Sequence, residues 1–292
     1  MHRFYRFITT KLILSESFYL LGMIFVRLSR KLKKQFSSSE KEFVTIKNFM
    51  GDISMRVDRN SYMGGSIFWN GFHHASELIF LNKYLKADMT FIDIGANQGE
   101  FTLFAAKKIK NGFVHAFEPT PFQLGLLEHN LILNKFENVS IHKFGLFDKN
   151  CTMDVFTSDN PESDGAVNEG LSSLFKAGGR NIVEATIELK VFDELFFDVL
   201  DRLDVVKIDI EGAELFALKG MMKSIDKFRP LILMEINEIA MQEAGYTKED
   251  LLSFLLPFEY KFYKIYRGKP IKLSSLEEVV FGNFIFTTEE LS

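Results

Sequence analysis

The sequence has one cysteine, Cys151, and one tryptophan, Trp69, in 292 residues. A lone thiol excludes an intramolecular disulfide framework and a cysteine-built zinc site. Long apolar runs are also missing. The longest, residues 17–26 (SFYLLGMIFV), is about half of the ~20 residues that a membrane span requires. No G-x-G-x-x-G signature is present, which argues against a dinucleotide held by its pyrophosphate. Positive charge is scarce outside the first 36 residues. Those 36 hold eight basic residues and one acid, Glu16, for a net +7; residues 37–292 hold 27 basic and 38 acidic residues, for a net −11. A body with that balance has no basic stripe to neutralise phosphates, so nucleic acid is excluded as a general partner. What is present describes a folded globular chain: 47% of residues are hydrophobic and 25% charged. The 32 phenylalanines read as core filler, being bulky and without a polar handle.

The basic segment has its own pattern. Leu14, Phe18, Leu21, Phe25, Leu28 and Leu32 recur at spacings of three and four, which places an apolar stripe on one helix face. No small-x-small cleavage site follows the apolar stretch, so a signal peptide does not fit. Such a helix either lies in a membrane interface, its cations on anionic lipid, or packs on protein; both readings stand. The expected location is the cytoplasm, with residues 1–36 as a peripheral contact at the inner face of the membrane. Residues 1–43 are read as this segment plus a linker. Residues 44–292 are the main domain, of which 44–88 form an N-terminal extension.

Within the body, residues 44–49, 53–57 and 66–69 read as short strands, and 75–85 as a helix. A regular alternation then begins. Residues 89–94 (MTFIDI), 113–117, 139–144, 203–210 (LDVVKIDI) and 230–236 (PLILMEI) read as buried strands. Residues 97–109, 121–134 and 213–222 read as helices between them. This pattern implies an α/β fold, a mostly parallel sheet with helices on both faces. Residues 260–266 and 283–288 read as two closing strands. The polar, glycine-rich stretch 157–181 interrupts the alternation and is expected to be either a lid over the acceptor or a disordered insertion.

The loop Asp93-Ile94-Gly95-Ala96-Asn97-Gln98-Gly99 joins the first core strand to a helix. Its glycines let the chain turn sharply and let a ligand approach the backbone. Asp93 at the strand end would repel a pyrophosphate and suits a cationic ligand such as S-adenosylmethionine. Glu118 ends the next strand, 25 residues on, where an acid can accept hydrogen bonds from ribose hydroxyls. Both acids stand at the C-terminal sheet edge, where open α/β sheets bind ligands.

The blocks FIDIGANQG, AFEPTPFQLGLLEHNLILN and VVKIDIEGAELFALKG resemble those of the FkbM-type methyltransferases, and the resemblance covers roughly residues 75–240. GLSSL (170–174) and FDEL (192–195) resemble weaker blocks of that family. The resemblance implies a class I methyltransferase (Rossmann-like) fold: a seven-stranded, mostly parallel sheet with helices on both faces and one antiparallel strand near its end, behind the N-terminal amphipathic helix. It implies S-adenosylmethionine as cofactor and a hydroxyl of a sugar, glycan or lipid-linked saccharide as acceptor. Asp93, Gly95, Asn97 and Gly99 would surround the methionine end and ribose. Glu118 would hold the ribose diol, Thr120 and Pro121 would line the pocket, and Phe147 and Asp148 would flank the adenine.

Methyl transfer to an alcohol benefits from a base or a metal that removes the proton. Asp209 and Glu211 follow the fourth core strand and are the first candidates, either as a shared base or as ligands of Mg²⁺ together with Glu235. A third role for Glu211 is to cap the helix beginning near Ala213. Lys207 is expected in a structural ion pair. His73, just before the first core strand's helix, is a further candidate base. Two readings of other classes are an NAD-dependent oxidoreductase and a membrane-recruited binding module whose site has decayed.

Overall fold

The computed structural model describes residues 24, 26, 40–158, 172–176 and 179–291. In chain order the elements are β1 (Phe43–Phe49), β2 (Ile53–Asp58), α1 (Tyr62–Asn70), α2 (Ala75–Tyr84), β3 (Thr90–Ile94), α3 (Glu100–Lys108), β4 (Phe113–Phe117), α4 (Pro121–Asn134), β5 (Val139–His142), β6 (Gly145–Leu146), β7 (Cys151–Thr157), β8 (Ile182–Lys190), α5 (Phe192–Phe196), β9 (Val205–Ile208), α6 (Glu214–Gly220), α7 (Met222–Phe228), β10 (Leu231–Ile236), α8 (Glu238–Glu243), α9 (Lys248–Leu255), β11 (Lys261–Tyr266), β12 (Lys269–Lys272) and β13 (Gly282–Thr287).

Eight strands form the main sheet in the order β12-β11-β13-β10-β9-β3-β4-β5. Strands β5, β4, β3, β9 and β10 are parallel neighbours, and β13 is antiparallel between β10 and β11. The first core strand thus lies at the centre and an antiparallel strand enters near one edge, the class I methyltransferase arrangement. Strands β3 (TFIDI) and β9 (VVKI) are buried at every position, as expected for parallel strands covered on both faces. One apolar cluster, containing Phe91, Leu103 and Leu127, covers one face; another, containing Ile92, Val206 and Ile232, covers the opposite one.

The expected seven strands become eight because Arg267 and Gly268, at φ 53° and 72°, turn β11 back into the short edge strand β12. Two positive φ values in a two-residue loop match the twist of a hairpin. Residues 66–69 are not a strand but part of α1. The Ser61 side chain accepts the Gly64 N–H at 3.0 Å at its start, and Gly71 ends it at φ 94°. The polar stretch at 157–181 is flanked by a separate three-stranded sheet, β6-β8-β7, that the alternation pattern does not announce.

Helix α4 ties the extension to the core. The buried Asn130 side chain accepts the Arg56 N–H at 2.6 Å and donates to the carbonyls of Arg56 (3.1 Å) and Gln98 (2.9 Å). The β1–β2 hairpin and the glycine loop are thereby held to one helix face. Among the described residues no helix is long and apolar enough to cross a membrane. Of the basic N-terminal segment only Ile24, exposed, and Val26, buried against the first cluster, are described; the rest of that expectation lies outside the described residues.

Candidate active site

Two loops meet at the C-terminal edge of β3 and β9. Gly95 sits at φ 77°, and a Cβ there would stand 2.1 Å from the Asp209 carbonyl oxygen. Only glycine lets the two turns touch. Asn97 follows at φ 50°, a conformation that Asn tolerates. Its N–H donates to Glu118 Oε2 at 2.8 Å, while Glu118 Oε1 accepts the Thr120 N–H at 3.0 Å and the Thr120 hydroxyl. Burial nonetheless lifts the Glu118 carboxyl above its ordinary range, against these hydrogen bonds.

The first cavity opens between these loops and the three-stranded sheet. Leu146, Val155, Ile187 and Leu189 make an apolar wall opposite Glu118, Thr120 and Gln123. Residues 172–176 close another side. Ser173 exchanges backbone hydrogen bonds with Phe156 at 2.7 and 3.0 Å, and its hydroxyl donates to the Glu211 carbonyl at 2.6 Å. This anchoring puts Ser172 and Leu174 on the wall of the first cavity. The described part of the expected lid therefore borders this cavity; residues 159–171 lie outside the described residues.

A second, more polar cleft of about 530 Å³ lies on the other side of Gly95 and Asn97. Its lining includes His73, His74, Glu77, Asp209, Glu235 and Asn283, with exposed Tyr62 and Phe281 among the aromatic residues. One oxygen from each of Asp209, Glu211 and Glu235 falls within 4.8 Å of the others. Burial, then Asp209, lift Glu235 to about 7. Burial, then Asp209 and Glu235, push Glu211 well above the usual carboxylate range. Desolvation opposes charge on the half-buried Asp209, but Lys207 and the nearby histidines hold its carboxyl low. The set of three oxygen ligands fits a hard divalent cation in its chemistry.

Lys207 is the buried cation of the site. Its Nζ donates to the Gly95 carbonyl at 2.9 Å and lies 3.6 Å from both Asp93 Oδ1 and Asp209 Oδ2. Burial disfavours its charge, but Asp209 and Asp93 outweigh it and raise its pKa. Asp93, wholly buried, also accepts the Thr102 hydroxyl at 2.5 Å. Nearby, His74 Nδ1 lies 2.8 Å from Glu100 Oε2, and Glu100 Oε1 accepts the His73 N–H at 2.6 Å. Burial opposes charge on His74, yet the hydrogen bond to Glu100 and its charge raise the imidazole to about 9.

The structure brings Gly95, Asn97, Glu118, Thr120, Asp209 and Glu211 to the first cavity, and His73, Asp209, Glu211 and Glu235 to the second. Asp93, Gly99, Phe147 and Asp148 line neither. Asp93 faces Lys207 and Thr102; Gly99, at φ 98°, starts α3. Phe147 stacks on Phe216 at 4.6 Å, leaving Gly145 and Leu146 at the wall, and Asp148 is exposed. The capping role considered for Glu211 is not seen, since no side chain caps the helix that starts at Glu214; the Glu214 carboxylate instead accepts the N–H groups of Ile210 and Gly212 in the turn before it. Sequence reasoning missed Ile187 and Leu189, although the alternation in ATIELK marks a half-buried strand. It also missed Glu100, whose pairing with His74 depends on tertiary contact alone.

The model of the FkbM methyltransferase domain matches residues 93–263, more than half of the chain. Methyltransferase 1 of Beauveria bassiana is 27% identical over 146 residues, 46% of this chain and 59% of that protein. Methyltransferase sdnD of Sordaria araneosa is 29% identical over 160 residues, 47% of this chain and 62% of that protein. The chain thus spans about 60% of the length of these relatives. The crystal structure of methyltransferase FkbM from Methylobacillus flagellatus aligns with a TM-score of 0.45 and 14% identity, covering 89% of this chain and 58% of that one.

Proposed function

The chain belongs to the FkbM methyltransferase family, an S-adenosylmethionine-dependent family, and we propose that it O-methylates a hydroxyl of a sugar, glycan or lipid-linked saccharide. The observation that carries this reading is the meeting of two unlike cavities at Gly95, Asn97, Asp209 and Glu211. The first has the donor set of a nucleoside site: an apolar slot and an acid able to accept a ribose diol. In it Glu118 holds the ribose, and Leu146, Ile187 and Leu189 flank the adenine. S-adenosylmethionine, when bound, supplies an activated methyl group.

The second cleft suits a polyhydroxylated acceptor. Carboxylates and Asn283 can accept and donate hydrogen bonds to hydroxyls, and the rings of Tyr62 and Phe281 offer apolar faces to a sugar ring. Glu235 lines this cleft alone, and with Asp209 it takes the proton from the acceptor hydroxyl. Holding that oxygen in line with the methyl group accounts for much of the barrier reduction. A second reading, favoured by the mutual reach of the three carboxylates, is that Asp209, Glu211 and Glu235 hold Mg²⁺, which would stabilise the acceptor oxygen as an anion.

The test is transfer of tritiated methyl from S-adenosylmethionine to glycan and lipid extracts, with and without EDTA. Label in an alkali-stable sugar ether is expected. Label confined to alkali-labile esters or to protein would overturn the acceptor assignment, and loss of transfer in EDTA would select the metal reading.

A further inference from the structure

Asp209 and Glu211 border both cavities, together with Gly95 and Asn97. The Glu211 side chain is singular here. The residue is 8% exposed, and its carboxylate accepts no hydrogen bond from any described residue. Cations nearby are matched to other acids. Lys207 lies between Asp93 and Asp209, His74 is paired with Glu100, and Arg180 is paired with Glu243. Glu235 and Glu214 add further carboxylates beside Glu211. The junction therefore holds more acids than bases, close enough to one another for their charges to interact.

We propose that Glu211 is a specificity-determining residue that reads the charge on the cofactor's sulfur, favouring the sulfonium of S-adenosylmethionine over the neutral thioether of S-adenosylhomocysteine. This rests on assigning the first cavity to the cofactor. The methyl group must face the acceptor cleft, so the sulfur that carries it stands at the junction. The positive charge supplies the cation that the crowded carboxylates of Asp209, Glu211 and Glu235 lack, and it favours the ionised form of Glu211. Methyl transfer breaks the sulfur–methyl bond, its electron pair stays on sulfur, and the charge disappears. The attraction is thereby withdrawn after the reaction, which favours release of the spent cofactor and its replacement by a loaded one. A device of this kind needs no movement of the chain, only an acid at the junction that no described donor hydrogen-bonds.

Calorimetric titration of the full chain with each cofactor form, in EDTA and without acceptor, tests the idea. The wild type should bind S-adenosylmethionine about tenfold more tightly than S-adenosylhomocysteine, an effect of one buried charge pair. Glu211→Gln should bring the two affinities within about twofold, mainly by weakening the charged form, while Glu211→Asp should keep the preference. Equal weakening of both forms by Glu211→Gln, or an unchanged ratio, would overturn the proposal. An aza analogue whose ammonium replaces the sulfonium gives a measurement on the wild type alone. It should bind like the charged cofactor, and binding no better than the thioether would also overturn the proposal. Failure of the wild type to bind any of the three would instead remove the assignment of the first cavity to the cofactor, on which the proposal rests.

Discussion

The Glu214 carboxylate reaches back two residues to accept the Gly212 N–H through both of its oxygens, at 3.2 and 3.1 Å. It also accepts the Ile210 N–H at 3.2 Å and the Tyr246 hydroxyl at 3.0 Å. Between those two amides lies Glu211, at φ 49°, a backbone state that costs a residue with a side chain about 1–2 kcal/mol. The acid that the sequence places in the helix's first turn thus holds the turn that presents Glu211. Glu214→Ala leaves two buried donors, the Gly212 N–H and the Tyr246 hydroxyl, and the half-buried Ile210 N–H without an acceptor, each buried one costing about 1–3 kcal/mol. Glu214→Gln keeps one accepting oxygen and should lose markedly less. Urea denaturation of both variants checks this; equal losses would contradict a hydrogen-bond role.

Removing Lys207 should be costly for a different reason. Its ammonium is the shared counter-charge of Asp93 and Asp209, and all three are largely shielded from water. Breaking a buried pair by deleting one partner costs about 3–5 kcal/mol, because a charge is left uncompensated. Lys207→Met should show a loss of that size. Adding Asp93→Asn to it should restore part of the loss, and a double-mutant cycle measures the coupling.

Much of this arrangement was legible in the sequence. The alternation of MTFIDI, VVKIDI and PLILMEI with helical stretches implied the parallel sheet, and strand-end Asp93, Glu118 and Asp209 marked its functional edge. The destinations of those acids were less legible. Asp93 and Glu118 both end core strands, yet only Glu118 reaches a cavity wall; Asp93 turns to Lys207, whose position on β9 is set by strand register rather than by sequence distance. The β6-β8-β7 sheet was hidden for a similar reason. Its strands flank a long polar insertion, and their pairing joins residues such as Met153 and Ile187 across it.

The His74–Glu100 pair makes a pH-dependent contribution to stability. His74 is raised to about 9 in the folded chain, above its unfolded value of 6.5, so its contribution is complete below pH 6.5 and lost as pH rises through 9. Glu100 is held low by His74 although burial opposes this, so its contribution is present above pH 4.5 and lost on acidification. The stability gap between wild type and His74→Gln should be widest between about pH 5 and 6.5 and narrow towards pH 9.5. Denaturant melts at these pH values would reveal a gap that does not narrow.

Glu235 carries a prediction for turnover. Lifted to about 7, its carboxyl is half-ionised at neutral pH, where a general base works best. Methyl transfer should fall as pH drops through 7, because the protonated acid cannot accept the acceptor's proton. Glu235→Gln should lower the rate by about 10²–10⁴-fold. Wild-type transfer that does not vary between pH 6 and 8 would exclude Glu235 as the base.

Gly95 and Asn97 share one loop and both have positive φ, but they should respond oppositely to substitution. Gly95→Ala adds a Cβ 2.1 Å from the Asp209 carbonyl oxygen, a backbone atom that cannot yield without moving the β9 turn. The strain falls on the contact that joins the two loops, so both the stability and the binding of S-adenosylhomocysteine should suffer. A loss of more than about 3 kcal/mol is expected. Asn97→Gly relieves the left-handed backbone and keeps the N–H that Glu118 accepts; it loses only the side-chain oxygen that accepts the Gln98 N–H at 2.8 Å. Its stability should stay within about 1 kcal/mol of wild type. Thermal melts with and without S-adenosylhomocysteine measure both effects. Comparable damage from the two substitutions would mean that glycine is needed at 95 for its flexibility and not for the close approach of Asp209.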